Sequence, residues 1–105
     1  MTRHDLRETV QVMTARGPEE VPANVKDGLA IHPWLDVYGL AESEYAVTHA
    51  ATGLRITERP VGIKAAVRVR ETAAGLMDWT RTEKDAIEAE AIERNVRMAI
   101  WEVTQ

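Results

Sequence analysis

The sequence contains no cysteine, which excludes disulfides and metal sites built on thiolates. It has no run of about 18 apolar residues, the length that a membrane-spanning helix requires. Its first ten residues, MTRHDLRETV, lack the apolar stretch of a secretory signal. We therefore expect a cytoplasmic protein that does not cross a membrane.

Histidines and phosphate-binding glycines are also scarce. The three histidines, His4, His32 and His49, are far apart and show no helical i, i+4 pairing, so a metal site has little basis. The sequence has neither a glycine-rich nucleotide loop nor a Gly-x-Ser-x-Gly nucleophile motif. It thus predicts no metal, no cofactor and no catalytic residue.

The residues that are present fit one small domain. Apolar residues make up 45% of the 105 residues and charged residues 29%, a balance typical of globular proteins. A chain of this length can bury one core but not two. We predict a single small α+β domain over residues 1–105.

The formal net charge of −4 conceals a pattern of blocks. Residues 18–44 are mainly acidic, residues 55–70 mainly basic, and residues 71–93 mainly acidic again. The acidic total argues against non-specific nucleic-acid binding and leaves open binding to a basic surface of another protein. Nucleic-acid contact through the basic segment is retained as the lowest-ranked alternative.

The N-terminal segment has two interpretations. Leu6, Val10 and Met13 recur at helical spacing before Gly17-Pro18, which predicts a helix over about 3–16. The stretch TVQVMT also alternates between polar and apolar residues, which leaves a strand open.

The next segments contain prolines. Residues 18–28 carry two prolines, a glycine and several charges, so we predict a loop. Because Pro33 cannot donate to a ladder, we expect only a short edge strand near 29–32. Trp34 and the later Trp79 are interpreted as core residues.

Residues 44–51 and 54–59 form the predicted hairpin, around which we expect a small antiparallel sheet. Gly53 would supply the positive φ of a tight turn. If Thr52 and Gly53 are the turn, burial of one face selects a register that places Tyr45, Val47, His49 and Ala51 with Leu54 and Ile56. His49 and Thr52 are the candidate ligand-binding or reactive pair, although packing of His49 within the hairpin explains the same pattern.

Two further helices are predicted, over about 60–78 and 82–104, so that the sheet packs against two or three helices in all. Pro60 suits the first position of the earlier helix. Its basic residues, together with one preceding it, are candidate contacts for an anion or a charged partner: Arg59, Lys64, Arg68 and Arg70. Arg70 projects into the apolar arc of that helix, where its stem could also simply lie along apolar surface.

The last helix carries two apolar seams on nearly opposite faces. One is an ordinary core stripe. The second combines apolar residues with the Trp, Met and Arg types that are enriched at interface centres, and it comprises Ile87, Ala91, Arg94, Met98 and Trp101. Either the domain buries this seam itself, or the seam binds a partner protein or a second copy of the chain.

Two motifs carry a family resemblance: Tyr45-Ala46-Val47-Thr48-His49 followed by Thr52-Gly53-Leu54, and the ending Leu76-Met77-Asp78-Trp79-Thr80. Over residues 45–80 the chain resembles small uncharacterised proteins of phages and other mobile elements, which have a V-T-H-x-x-T-G-L hairpin and a D-W-[ST] helix end. The resemblance implies stoichiometric binding to a host protein, as by anti-CRISPR inhibitors.

The sequence therefore predicts a non-enzymatic protein-binding module that acts through the last helix, as a host-protein inhibitor or as a homodimer. A small-ligand or enzymatic domain centred on His49 is the alternative.

Overall fold

The computed structural model of the chain describes residues 3–36, 39–76 and 78–80. After a 3-10 turn at Arg3–Asp5, four strands follow: β1 Glu8–Thr14, β2 Gly17–Lys26, β3 Leu29–Asp36 and β4 Gly39–His49. The helix α1 spans Ile63–Ala74. The α+β class is confirmed by an antiparallel sheet and one α-helix within these residues; the helix predicted at 82–104 lies outside them.

The sheet is a meander in the order β1-β2-β3-β4, and it curls on itself. The amide of Met13 in β1 donates over 3.0 Å to the carbonyl of Gly53, beyond the end of β4. Gly53 has φ +74°, and a Cβ there would lie 2.8 Å from the carbonyl oxygen of Gln11. Glycine therefore permits both the turn and its close approach to β1.

Buried side chains form two clusters on the two faces of β3 and β4. The cluster against α1 contains Leu29, Ile31, Tyr45, Val47, Ile56, Val61, Ala66, Val69, Ala73 and Trp79. The cluster inside the curl contains Val10, Val12, Val21, Ala23 and Ala30. Because alternate strand residues point to opposite faces, β3 contributes to both clusters, and two small cores that share a sheet replace the single core expected.

The helix predicted over 3–16 is wrong, since residues 8–14 form β1. Val10 and Val12 are buried, whereas Met13 of the supposed helical stripe is 52% exposed. The alternation of polar and apolar residues in TVQVMT matches the strand that forms, because the apolar face of β1 lies inside the curl.

The loop predicted over 18–28 is also wrong for most of its length, because residues 17–26 form β2. Its prolines are tolerated for a geometric reason. Met13 pairs with Pro18, yet its amide points away from β2 toward Gly53. Pro18 and Pro22 therefore occupy positions at which β1 needs no N–H donor.

β3 is an inner strand of eight residues, which corrects the short edge strand expected near 29–32. Its pairing with β2 ends at Asn24 opposite Ile31. Two residues further along the same register, the next hydrogen-bonded pair would place Pro22 opposite Pro33. Neither proline has an amide hydrogen, and β2 and β3 diverge at this point.

The predicted hairpin is correct in part of its buried face and wrong in its turn. Of that face, Tyr45, Val47, His49 and Ile56 are buried, whereas Leu54 is half-buried and Ala51 is exposed. The turn, however, occupies residues 50–53, because β4 ends at His49 and the His49 amide donates to the Leu54 carbonyl. The returning chain follows β4 through isolated bridges rather than as the continuous strand expected at 54–59.

α1 is shorter at both ends than the predicted helix over 60–78. Val61 exchanges two backbone hydrogen bonds with Tyr45, over 2.8 and 3.0 Å, so the chain is still strand-like one residue past Pro60. The helix begins after Gly62 and ends at Gly75. Pairing with β4 therefore overrides the signal of a proline at the first helical position.

Candidate functional site

His32 lies within β3, at the point where β2 diverges from it. Its Nδ1 donates over 2.8 Å to the carbonyl of Pro33, and its Nε2 accepts over 2.7 Å from the hydroxyl of Thr48. Because a carbonyl can only accept, these contacts assign the proton to Nδ1. Burial lowers the pKa of His32, the bond to Pro33 opposes that shift, and the charge of Arg55 adds to it. The ring is therefore a neutral, fully bonded group.

A cleft of about 300 Å³ lies between the end of β1 and the second half of β3. It is on the face of β3 and β4 opposite α1, beside the point where β2 and β3 diverge. Its walls are Val12, Met13, Thr14, Ala15, His32, Trp34, Leu35, Ala46 and Arg55. The cleft therefore combines an apolar wall with one permanently charged side chain.

Arg55 and Trp34 form a stacked pair at this cleft. The guanidinium carbon of Arg55 lies 4.3 Å from the centroid of the Trp34 ring, within the range of a cation–π interaction. Burial lowers the pKa of Arg55, and none of the lining residues is acidic. Trp34, interpreted from the sequence as a core residue, is half-buried and belongs to this surface.

His49 and Thr52 do meet, but inside the fold. The His49 Nδ1 accepts over 2.7 Å from the Thr52 hydroxyl, and its Nε2 donates over 2.7 Å to the carbonyl of Trp79. His49 has no exposed surface, and its ring contacts the Trp79 ring at 5.7 Å between centroids. These contacts give His49 a packing role and leave neither nitrogen open to a ligand.

Arg70 is buried, with 7% of its surface exposed. Its Nη1 donates to Asn24 twice, over 2.9 Å to the backbone carbonyl and 2.8 Å to Oδ1. Burial lowers the pKa of Arg70, and three nearby carboxylates act in the opposite direction. Arg70 thereby ties α1 to β2.

The other basic candidates lie elsewhere. Lys64 and Arg68 are exposed on α1, and Arg59 is exposed in the segment before it. Arg55 is exposed as well, but it lines the cleft on the opposite face of the sheet. The structure thus divides the basic 55–70 segment between two surfaces. The predicted seam of Ile87, Ala91, Arg94, Met98 and Trp101 lies outside the described residues.

Sequence reasoning missed the cleft, although two signals for it were present. His32-Pro33 places a polar ring beside a proline within an apolar run, and Pro22 stands at the matching position of β2. Recognising their meaning requires the β2–β3 register, since Pro22 and Pro33 become partners only after the strands are aligned.

Residues 3–36, 39–76 and 78–80 include no group of three His, Asp or Glu side chains placed to hold a metal ion. Within the same ranges no helix is both long and apolar enough to cross a membrane. Comparisons with protein-family models, curated proteins and solved structures found no match to the chain.

Proposed function

We propose that the protein is a partner-binding module that acts by stoichiometric association with another protein. The observation that carries this proposal is the cleft, which presents Trp34 and Arg55 beside the exposed side chain of Met13. All three residue types are enriched at protein interfaces, and Trp and Arg are also enriched among the residues that carry most of the binding energy. A cleft of this size can receive one or two side chains of a partner.

The bonding of the two buried histidines supports binding rather than acid–base chemistry at these residues. A general acid or base must reach the proton of a substrate directly or through one water. Both nitrogens of His32 and both nitrogens of His49 are already bonded within the fold. Their bonds therefore support structural roles.

The last-helix seam enters the proposal as a second contact surface, from its sequence pattern alone. A cytoplasmic inhibitor of a host protein is the form of action that the phage-protein resemblance suggests. Both ideas require a partner, and both are tested by the same binding experiment.

The test is co-purification of the tagged protein from the host cell, followed by light scattering of the isolated complex. We expect a complex of fixed stoichiometry. Trp34→Ala should weaken it at least about thirtyfold if Trp34 is a binding hot spot, and Met98→Glu should do so if the seam takes part. Arg7→Glu, at an exposed residue outside the cleft, is the control for the cleft. The proposal is overturned if no complex forms, or if both variants, confirmed as folded by circular dichroism, bind as the wild type does.

A further inference from the structure

We infer that the cleft is a carboxylate-binding site, in which Arg55, resting on Trp34, receives an Asp or Glu side chain of the partner protein. This inference rests on the proposed function and names the chemical group that the partner supplies. It assigns to Arg55 the ionic contact and to the apolar wall the methylene groups of the incoming side chain.

The charges around the cleft favour an anion. Arg55 is the one permanently charged side chain among the nine lining residues. Among the carboxylates whose side chains the structure describes, none forms an ion pair with Arg55, and burial is the cause of its lowered pKa. A partly desolvated cation without a counterion gains more from an incoming carboxylate than a fully hydrated cation would.

Two other polar side chains of the cleft, His32 and Thr14, have partners within the fold, and the remaining one, the Trp34 indole, is uncharged. His32 uses both ring nitrogens, and the Thr14 hydroxyl donates over 2.6 Å to the Gly17 carbonyl and accepts over 3.1 Å from the Arg16 amide. Recognition of a charged group therefore falls to Arg55. The chemistry of this one side chain decides which ligand class the cleft prefers.

The stack on Trp34 suits Arg55 to a carboxylate. A guanidinium that lies over an aromatic face keeps the N–H groups at its edge available, and two of them match the two oxygens of a carboxylate. The stack also limits the number of arginine rotamers before binding, which reduces the entropy lost on association. An ammonium group could provide neither the flat face nor the paired donors.

The size and surroundings of the cleft favour a protein side chain. Its volume of about 300 Å³ is at the lower limit of ligand pockets, which is adequate for Glu or Asp. Val12, Leu35 and Ala46 provide an apolar wall for the methylene groups of such a side chain. The exposed Met13 at the rim extends the apolar surface beyond the cleft, where the neighbouring residues of a partner would lie.

The inference is tested by NMR titration of the ¹⁵N-labelled protein, observing the Trp34 indole N–H and the Arg55 side-chain N–H. Two pairs of probes are used: a blocked tripeptide with a central Glu and its Gln counterpart, and benzoate with benzamide. We expect saturable shifts with the Glu peptide, and shifts with the Gln peptide that are weaker by about tenfold or more. The benzoate pair reports whether a free acid can enter as well.

Arg55→Gln should reduce the affinity for the Glu peptide about tenfold or more, and Arg55→Lys should retain only part of it because the paired donors are lost. Arg7→Gln, at an exposed arginine outside the cleft, should bind as the wild type does. If Arg55→Gln does not fold, Arg55→Lys decides the question, since it preserves the charge.

Equal shifts with the Glu and Gln peptides, or unchanged affinity in both Arg55 variants, would overturn the inference. If benzoate saturates the site and the Glu peptide does not bind, the carboxylate does not come from a partner side chain, and the ligand is a free acid instead. A partner complex that forms normally with Arg55→Gln defeats the carboxylate inference while the proposed function stands. If the protein binds the Glu peptide but forms no complex with another protein, the carboxylate site stands and the proposed function is defeated.

Discussion

His49 and His32 have nearly the same bonds and different surroundings. Each ring is buried, and each places one nitrogen against a threonine hydroxyl and the other against a backbone carbonyl. The carbonyl that His49 binds belongs to Trp79, thirty residues away, so this bond fastens the chain after α1 to the sheet. The carbonyl that His32 binds belongs to the next residue, and the space in front of the ring remains open as the cleft.

The comparison shows that burial and hydrogen bonding do not by themselves separate a histidine packed inside the fold from one that lines a cleft. In this protein the two histidines differ in the sequence separation between the ring and the carbonyl that it binds. A long-range partner closes the His49 region, in which Trp79 also donates its indole N–H over 2.7 Å to the Ala73 carbonyl. At His32 the partner is local, and a cleft lies beside the buried ring.

The largest effect is expected from closing the space beside the carbonyl that His49 binds. Gly28 has φ +79°, and a Cβ there would lie 2.4 Å from the Trp79 carbonyl oxygen. Gly28→Ala combines a left-handed conformation with a backbone clash, so we expect the free energy of unfolding to fall by about 3 to 4 kcal/mol. Chemical denaturation measures the loss.

Gly17→Ala is the matched control for Gly28→Ala. Gly17 also has positive φ, at +103°, but a Cβ there would meet nothing within 4 Å. The control should lose only about 1 kcal/mol, from conformation alone. Equal losses in the two variants would show that the approach of Trp79 to Gly28 is not tight.

His49→Gln should have the next largest effect. It removes an imidazole whose two nitrogens bond two buried partners. The oxygen and nitrogen of a Gln amide are attached to one carbon and cannot reproduce both bonds. We expect a loss of about 2 kcal/mol in the free energy of unfolding, measured by denaturant titration, whereas the exposed His4→Gln should leave it unchanged. A His49→Gln protein of unaltered stability that had lost a ligand or an activity would instead restore the alternative of a His49-centred site.

The smallest effect is expected at His32, and it should appear as a pH dependence. The folded pKa of His32 lies below the usual value of 6.5, so the unfolded chain takes up the proton first as the pH falls. The stability contributed by neutral His32 is then fully present above about 6.5 and is lost progressively below it, toward the folded pKa.

Thermal unfolding at about pH 7.5 and about pH 5.5 measures this contribution. The melting temperature of the wild type should decrease more between the two conditions than that of His32→Gln. The other two histidines are unchanged in the variant, so the difference reports His32. Equal decreases would show that His32 is not held neutral by the fold.

The sequence predicted the features that depend on nearby residues. The positive φ of Gly53 is confirmed, and so is the burial of most of the predicted hairpin face, although Ala51 of that face is exposed. The helix predicted over 60–78 begins within a few residues of the observed start. The difference arises because Val61 pairs with Tyr45 of β4, and no local feature of the sequence indicates that pairing. The interpretation of 3–16 failed because seven residues fit helical and strand periodicity about equally well.

The cleft could not be predicted in the same way. Trp34 has the composition signal of a core residue, and its exposure follows only from the divergence of β2 and β3. In the sequence, Arg55 is one member of a basic segment. Its separation from Lys64 and Arg68 arises because they lie on opposite sides of the sheet, and the sequence did not predict which strands form that sheet.

Pro22 and Pro33 have a consequence for how the protein avoids unwanted association. A gap between two strands exposes backbone groups that could pair with a strand of another chain, which is a common route to aggregation. At Pro33 no donor exists, and the carbonyl is already occupied by His32. The gap is therefore protected at this point from β-strand addition, so that it can stay open to side chains without templating an intermolecular sheet.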